Sequence, residues 1–173
     1  MADNPIAITQ SLSELFSDAI GGCRVILFSA PAGCGKTSSA IELLRRGGIE
    51  YKSLDAGAPD FARRLAGVLP DERSAPIPLG TASPVVSDGK TVSSPGGGVL
   101  LVDNLQSIDK AGEDALSEQI RAHPLSRFIL CGRCPLPGWL VQYEAERTEL
   151  TIEPEDLMLD SMALEEVSRG RGL

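Results

Sequence analysis

Apolar residues along the chain form two kinds of pattern, short continuous runs and longer stretches in which they recur every three or four positions. The continuous runs predict five strands, at residues 24–29, 51–54, 99–102, 128–131 and 149–152. The helical spacing predicts five helices, at residues 6–20, 36–46, about 60–69, 110–122 and 161–168. Strands and helices alternate with no hairpin signal between them. The pattern therefore predicts an α/β fold of three αβα layers, with a mostly parallel five-stranded sheet in the middle.

Glycine pairs mark the predicted ends of two helices. Gly21-Gly22 is expected to end the first helix, and Gly47-Gly48 is expected to end the second. The length of 173 residues is that of one domain with a sizeable core. We therefore expect an N-terminal helix and lead-in segment over residues 1–22, followed by one domain over residues 23–173.

The segment 74–98 interrupts the alternation of strands and helices. More than half of its residues are Pro, Gly or Ser, and its only charges are Asp88 and Lys90. Such low complexity favours a disordered connector or a tolerated surface insertion, and a functional lid is the alternative.

The charge of the chain limits its direct partners. With 16 basic and 24 acidic residues the formal net charge is −8, whereas nucleic acids and anionic membranes are bound by clustered Lys and Arg. The N-terminus lacks the basic start and apolar core of a signal peptide, and no apolar run approaches the roughly 20 residues that span a bilayer. We therefore expect a cytoplasmic chain that contacts neither membranes nor, by itself, DNA.

Four cysteines are too few and too irregularly spaced for a disulfide framework, so reduced thiols are expected. Cys131 and Cys134 have the CxxC spacing of a redox pair or of half a zinc site. No second cysteine pair completes a tetrahedral site, and His123 is the only histidine. The residues favour a small buried Cys131 over a redox or metal role.

The segment Ala30-Pro-Ala-Gly-Cys-Gly-Lys-Thr37 indicates a phosphate-binding loop, because it follows a predicted strand and begins a predicted helix. Its glycines let successive N–H groups point inward, and the helix N-terminus adds partial positive charge. Lys36 is expected to reach the β- and γ-phosphates, and the Thr37 hydroxyl to ligate Mg²⁺. Ala30 stands where the usual pattern has Gly, and it keeps that position small. The residues predicted to bind the nucleotide are Ala32, Gly33, Cys34, Gly35, Lys36, Thr37 and Ser38.

A carboxylate follows the third predicted strand. Asp103 ends the apolar run 99–102 at the carboxyl edge of the sheet, where open α/β sheets bind ligands. We expect it to hold Mg²⁺ or its waters opposite Thr37, and a turn cap is the alternative.

The next residue, Asn104, stands where many related ATPases have a second acid that polarises the attacking water. An amide cannot act as a base, so slow turnover is expected. Asp55, which ends the second predicted strand at the same edge, is the nearest substitute acid or, equally, a turn cap.

Arg133 follows the fourth predicted strand and should also lie at this edge. A guanidinium there is suited to contact the γ-phosphate and to report its presence. The alternative is a surface arginine on a Pro-rich loop.

Together these segments resemble the nucleotide-binding domain of the MalT-like, large LuxR-type transcriptional regulators, which belong to the STAND class of P-loop ATPases. The resemblance covers about residues 24–168 and depends on residues 29–37, 53–55, the helix with Phe61, 100–103, 132–133 and 136–137.

The resemblance implies a P-loop NTPase fold in which the fourth strand lies between the phosphate-loop strand and the Asp103 strand. The motifs described above predict ATP or ADP with Mg²⁺ as the cofactors, with the metal on Thr37 and Asp103, and a catalytic group of Lys36, Asp103, Asn104 and Arg133. The resemblance also implies a switch from an ADP-bound to an ATP-bound state, nucleotide-dependent self-association, and contact with DNA only through a domain outside this chain.

Two classes of function therefore stay open. The first is an ATP/ADP-binding regulatory switch of a signal-responsive LuxR-type regulator, with slow or absent hydrolysis in isolation. The alternative is a self-contained P-loop ATPase or small-molecule kinase. A kinase would need an arginine-rich lid over its acceptor, and residues 74–98 contain no arginine. A degenerate scaffold that binds no nucleotide is disfavoured by intact Lys36, Thr37 and Asp103.

Overall fold

A computed structural model describes residues 8–69, 85–87, 90–92, 97–133, 138–140 and 149–158. Its helices are α1 (Gln10–Gly22), α2 (Lys36–Arg46), α3 (Phe61–Leu65) and α4 (Lys110–Ala122), with short 3-10 turns at Leu105–Ser107 and Gly138–Leu140. Its strands are β1 (Val25–Ser29), β2 (Lys52–Asp55), β3 (Val85–Ser87), β4 (Lys90–Val92), β5 (Val99–Asp103), β6 (Arg127–Gly132) and β7 (Glu149–Ile152). The helix predicted over residues 161–168 lies outside the described residues.

Five strands form one sheet in the order β2-β5-β6-β1-β7, and every neighbouring pair is parallel. The predicted α/β class and five-stranded sheet are confirmed, and the sheet is wholly parallel. The strand β6 lies between β1 and β5, as the resemblance implied. This order places the ends of β1 and β5 on either side of β6, with a gap one strand wide between them.

Helices cover both faces of the sheet, which explains why β1, β5 and β6 are almost continuously apolar. On one face α1 and α2 pack against alternate strand residues, including Ile26, Phe28, Leu101, Ile129 and Cys131. On the other face α3 and α4 pack against the intervening ones, including Val25, Leu27, Leu54, Leu100, Val102, Phe128 and Leu130. The alternation therefore fixes which face each side chain at a strand end occupies.

The helix α1 differs from its prediction at both ends. It begins at Gln10, where the Thr9 hydroxyl caps it by accepting a bond from the Leu12 N–H, and it runs through the two glycines to Gly22. The helix therefore ends at the predicted glycine pair, although it includes both glycines and runs two residues beyond residue 20. The last turn is stabilised by Arg127, whose guanidinium donates to the Ile20 carbonyl at 3.1 Å and to the Gly21 carbonyl at 3.5 Å. Carbonyls that would otherwise be orphaned at the helix end are thereby satisfied.

Part of the segment 74–98 is described as strands. The strands β3 and β4 pair with each other in an antiparallel ribbon, separate from the main sheet. The expectation of a chain without hairpins is therefore wrong here. The signal was present in the sequence, because an Asp-Gly pair at positions 88–89 is a typical two-residue hairpin connection. Most of the other residues of the insertion lie outside the described ranges.

The helices α3 and α4 approach each other closely at Gly112. A Cβ atom at this position would lie 2.9 Å from Ile108 Cγ1, 3.0 Å from Phe61 Cδ1 and 3.1 Å from Asp109 Oδ1. The Gly112 N–H also donates to the capping Asp109 carboxylate at 2.7 Å. Glycine is therefore required here for packing, although it lowers helix propensity.

One buried acid lies on α2. The Glu42 side chain is only 8% exposed and bonds Arg45 at 2.7 and 2.8 Å and Arg46 at 2.8 Å. Hydrogen bonding from Arg45, opposed by burial and assisted by Arg46, lowers the pKa of Glu42 to about 2. This acid is therefore ionised in the folded protein at ordinary pH.

None of the helices in the described ranges is long and apolar enough to cross a bilayer.

Candidate functional site

Four strand ends meet at the carboxyl edge of the sheet. Ser29 at the end of β1 pairs with Gly132 of β6, and Asp55 at the end of β2 pairs with Asp103 of β5. The loop of residues 30–37 leaves this edge after β1. The structure thus brings together the predicted phosphate loop, Asp103-Asn104, Asp55 and the backbone of Arg133.

The loop turns at two glycines that need their freedom of conformation. Gly33 has φ +84° and Gly35 has φ +76°, both in the left-handed region that side chains disfavour. Gly35 is also the N-cap of α2, which begins at Lys36 as predicted. The two glycines therefore set the curvature of the loop just before the helix.

The curved loop presents unpaired backbone donors. None of the N–H groups of residues 32–38 donates a hydrogen bond to a described residue, whereas Ser39 N–H bonds the Gly35 carbonyl at 2.8 Å. The helix α2 leaves its first donors free in the usual way and adds the positive end of its dipole. All seven residues predicted to bind the nucleotide lie on this turn, and they are exposed or partly exposed. The arrangement is that of an anion-binding nest.

Lys36 folds back over the loop. Its ammonium donates to the Ala30 and Pro31 carbonyls, each at 2.7 Å. Ala30 is fully buried, and its N–H bonds the Gly132 carbonyl at 3.3 Å. The methyl group at the position where the usual pattern has Gly is therefore accommodated in the core.

The closest link between the loop and the sheet joins Thr37 to Asp103. The Thr37 hydroxyl donates to Asp103 Oδ1 at 2.8 Å, and the Asn104 N–H donates to the same oxygen at 2.8 Å. Asp103 Oδ2 accepts no bond from a described residue. Thr37 and Asp103, the two residues predicted to hold Mg²⁺, are therefore in contact, and Asp103 Oδ2 has no described partner.

A hydroxyl and a carboxylate are ligands that suit Mg²⁺. This ion is commonly held by one or two carboxylates, several waters and the phosphates of a substrate. Within the described ranges, no group of three or more His, Cys, Asp and Glu side chains could hold a metal ion by itself. Thr37 and Asp103 therefore fit a metal that arrives with phosphates.

Asn104 has a left-handed backbone, with φ 57° and ψ 36°, and is the one described non-glycine residue with positive φ. Asn adopts this conformation more readily than most residues. Its amide nitrogen donates to Asp55 Oδ1 at 3.1 Å, and its amide oxygen accepts from Gln106 at 3.3 Å. The Asn104 side chain therefore links the ends of β2 and β5 through a hydrogen bond, and as an amide it offers no base.

Asp55 is held in two ways. Its Oδ1 accepts from the Gly57 N–H at 2.9 Å, which closes a local turn, and from Asn104. The Gly57 N–H first and Asn104 second lower the pKa of Asp55, with a further contribution from the charge of Arg64. Asp55 therefore caps a turn, as one alternative expected, and it remains an ionised acid at the edge of the site.

Cys131 lies beneath Thr37 and Asp103. It is fully buried on β6, on the face that carries α2. Burial first and the charge of Asp103 second raise the pKa of Cys131 to about 12, against the opposing effects of Thr37 and Lys36. A thiol that stays protonated is a poor nucleophile and redox group, which supports the structural interpretation. Its partner in the CxxC pattern lies outside the described residues. The proximity to Thr37 follows only from the strand order, so spacing along the sequence did not reveal it.

Arg133 directly follows β6, and its side chain is exposed. It makes no hydrogen bond or ion pair with a described residue. Its role as a phosphate sensor stays a prediction.

A pocket of about 410 Å³ opens between the start of α1 and the turn that follows β7. Its lining residues are Thr9, Ser11, Leu12, Leu15, Glu155, Asp156 and Met158. Since β7 is parallel to β1, the turn after β7 leaves the sheet at the edge of the phosphate loop. The sequence alone does not reveal this pocket, because its two walls are more than 130 residues apart.

Comparison with known proteins adds no family to this description. No protein-family model matches the chain, and no curated protein matches it in sequence.

Proposed function

We propose that the chain is a P-loop nucleotide-binding domain that binds Mg²⁺ with ATP or ADP and acts as a regulatory switch. The bond of 2.8 Å between Thr37 and Asp103 is the observation that carries this proposal. It couples the start of the helix that follows a glycine-rich loop to a carboxylate at the end of another strand. This coupling is what a metal shared by the loop and the sheet requires.

The remaining features of the loop support the same ligand. The N–H groups of residues 32–38, which donate to no described residue, suit the oxygens of a β-phosphate, and the Lys36 ammonium suits the β- and γ-phosphates. The metal, when bound, would neutralise charge between the phosphates, held by Thr37 and Asp103. The pocket lined by Thr9 and Asp156 lies at the same edge and has the size of a small-ligand site.

A switch is favoured over a rapid enzyme by residue 104. An amide there offers no base, and a general base contributes about 10²- to 10⁴-fold in rate. We therefore propose slow or absent hydrolysis in isolation. The sequence resemblance supports a cytoplasmic regulator of the LuxR type, whose DNA contacts and self-association would involve parts outside this chain. Turnover well above about 1 s⁻¹ would instead favour the self-contained ATPase, since such values are usual for enzymes.

Thermal unfolding tests nucleotide binding directly. A ligand at 100 times its Kd adds about 2.7 kcal/mol to the free energy of unfolding, which raises Tm by about 5–10 °C for a chain of this size. We expect this shift with MgATP and MgADP, its loss in Lys36→Ala, and its loss of Mg²⁺ dependence in Thr37→Val.

Lys52→Ala is the matched control. It removes the same charge, but Lys52 is exposed at the opposite end of β2, where its ammonium bonds the Val68 carbonyl. This variant should keep the nucleotide shift. A wild-type protein without any shift, or a Lys36→Ala variant that shifts like wild type, would refute the proposal.

A further inference from the structure

The ends of β2 and β5 place two carboxylates on the same face of the sheet. Asp55 and Asp103 are register partners, and the Ala56 N–H bonds the Asp103 carbonyl at 2.9 Å. Leu54 packs in the core beneath α3 and α4, so Asp55 must lie on the opposite face, which carries α2. Leu101 packs in the core beneath α2, so Asp103 lies on that face as well. Both acids therefore belong to the side of the sheet from which the phosphate loop enters α2.

Asn104 joins these two acids. Its backbone N–H donates to Asp103 and its side-chain amide donates to Asp55, so one residue fixes both carboxylates. Its left-handed backbone turns the chain directly after β5 and permits both bonds. The chain of hydrogen bonds runs from Thr37 through Asp103 and Asn104 to Asp55.

Both carboxylates accept two described bonds on Oδ1, and they differ in exposure and in what they adjoin. Asp103 Oδ1 accepts from Thr37 and Asn104, and this acid adjoins the loop. Asp55 is exposed, and both of its described bonds end on Oδ1, which leaves Oδ2 without a described donor. Asp103 also has an Oδ2 without a described donor, but it contacts Thr37 and is assigned to the metal in the proposed site, so Asp55 is the exposed acid whose free oxygen is left for water.

We propose that Asp55 supplies the carboxylate that aligns the attacking water in slow nucleotide hydrolysis, and that Asn104 is its positioning residue. Acid and amide would then be exchanged between the two strand ends, relative to sites with an acid at position 104. This inference rests on the nucleotide site proposed above. It differs from that proposal by assigning the residual turnover to a named residue on β2.

The chemical step balances with the groups present. The oxygen of water forms a bond to the γ-phosphorus of ATP, and the bond from that phosphorus to the bridging oxygen breaks. ADP leaves with that electron pair, and the proton lost by the water passes to Asp55 and then to solvent. No oxidant, reductant or other co-reactant is needed.

Exchanging the two side chains provides the test. We would measure single-turnover phosphate release from MgATP, together with nucleotide-dependent thermal shifts, in wild type, Asp55→Asn, Asn104→Asp and the double exchange. Asp55→Asn keeps an oxygen for the Gly57 N–H, so the turn is preserved. It should bind nucleotide like wild type but hydrolyse at least about tenfold more slowly, because an aligned base contributes about 10²-fold or more.

The double exchange should restore hydrolysis to within about threefold of wild type. It returns a carboxylate and an amide to the same pair of positions with the hydrogen bond reversed, and Asp tolerates the left-handed backbone. Asn104→Asp alone places like charges together and should lose stability. Asp60→Asn is the control, because among the described residues the Asp60 side chain pairs with Arg63 alone, at 3.1 Å; this variant should leave hydrolysis unchanged.

The outcomes separate this inference from the proposed function. Wild-type hydrolysis by Asp55→Asn, a folded and binding double exchange that stays as slow as Asp55→Asn, or wild-type binding without measurable hydrolysis would each overturn the role of Asp55. Absence of any MgATP or MgADP stabilisation in wild type would instead overturn the nucleotide site itself.

Discussion

Replacing Gly33 by alanine tests whether the curvature of the loop serves ligand binding. Gly33 has φ +84°, and a Cβ atom there would meet nothing within 4 Å. The substitution therefore adds backbone strain without a steric clash. An L-residue in the left-handed region lowers the free energy of unfolding by about 1–2 kcal/mol. The reduced freedom of the unfolded chain offsets about 0.4–1 kcal/mol of this loss.

The strain can lower either the stability of the protein or its affinity for nucleotide, and both quantities are measurable. If the loop keeps its shape, the free energy of unfolding falls by up to about 1.5 kcal/mol. If the loop relaxes, its N–H groups turn away from the ligand, and nucleotide affinity falls by up to about tenfold, since 1.4 kcal/mol corresponds to a factor of ten. We expect the loss of nucleotide affinity to dominate, because the loop is exposed and the N–H groups of residues 32–38 donate to no described residue.

The assay combines urea unfolding with titration of MgADP followed by the thermal shift. Gly48→Ala is the matched control, because Gly48 also has a left-handed backbone, with φ +62°, but lies at the far end of α2. That variant should lose stability and keep its nucleotide affinity. The reasoning is refuted if Gly33→Ala changes neither quantity, or if Gly48→Ala weakens nucleotide binding as much as Gly33→Ala does.

Three further predictions concern packing, pH and thiol chemistry. Gly112→Ala should lower the free energy of unfolding by about 1–3 kcal/mol through overpacking. Gly21→Ala, whose added Cβ meets nothing within 4 Å, should raise it by about 0.5–1 kcal/mol. Urea unfolding of both variants checks this, and equal effects would contradict it. Because the pKa of Glu42 is lowered from 4.5 to about 2, its contribution of about 1–3 kcal/mol is present above pH 4.5 and is lost as the pH falls towards 2. Urea midpoints between pH 2 and 6 should therefore fall less steeply in Glu42→Gln than in wild type, and identical slopes would argue against the ion pairs. Iodoacetamide at pH 8 should label exposed Cys34 and leave buried Cys131 unmodified until the protein is unfolded, as measured by peptide mapping. MgADP should slow the labelling of Cys34. Labelling of Cys131 in the native protein would contradict its burial.

Local elements were predicted well where sequence signals and packing agree. The bounds of α2, α4 and β7 coincide with their predictions, because apolar spacing and end signals coincide there. The helix α1 ends at the predicted glycine pair but runs two residues beyond residue 20, where a distant residue, Arg127, bonds its last carbonyls. Local glycine signals cannot include such a contact.

The candidate site was predicted in its members and not in its connections. The loop, Asp103 and Asn104 follow from motifs, and their common edge follows from parallel strands. The bond from Asn104 to Asp55 joins residues 49 positions apart, and the position of Cys131 beneath Thr37 depends on the strand order. Periodicity contains no information about either, because both depend on how the crossovers arrange the strands.

The bonds from Lys36 to the carbonyls of Ala30 and Pro31 have a consequence for the kinetics of ligand exchange. Lys36 holds the two carbonyls at the start of the loop, so in the proposed nucleotide site this end of the loop is supported by the chain itself. An incoming phosphate group would then meet a partly preorganised surface, and little of its binding free energy would be used to order the chain. Exchange of one nucleotide for another would then be limited by release of the first ligand, with no refolding step in between.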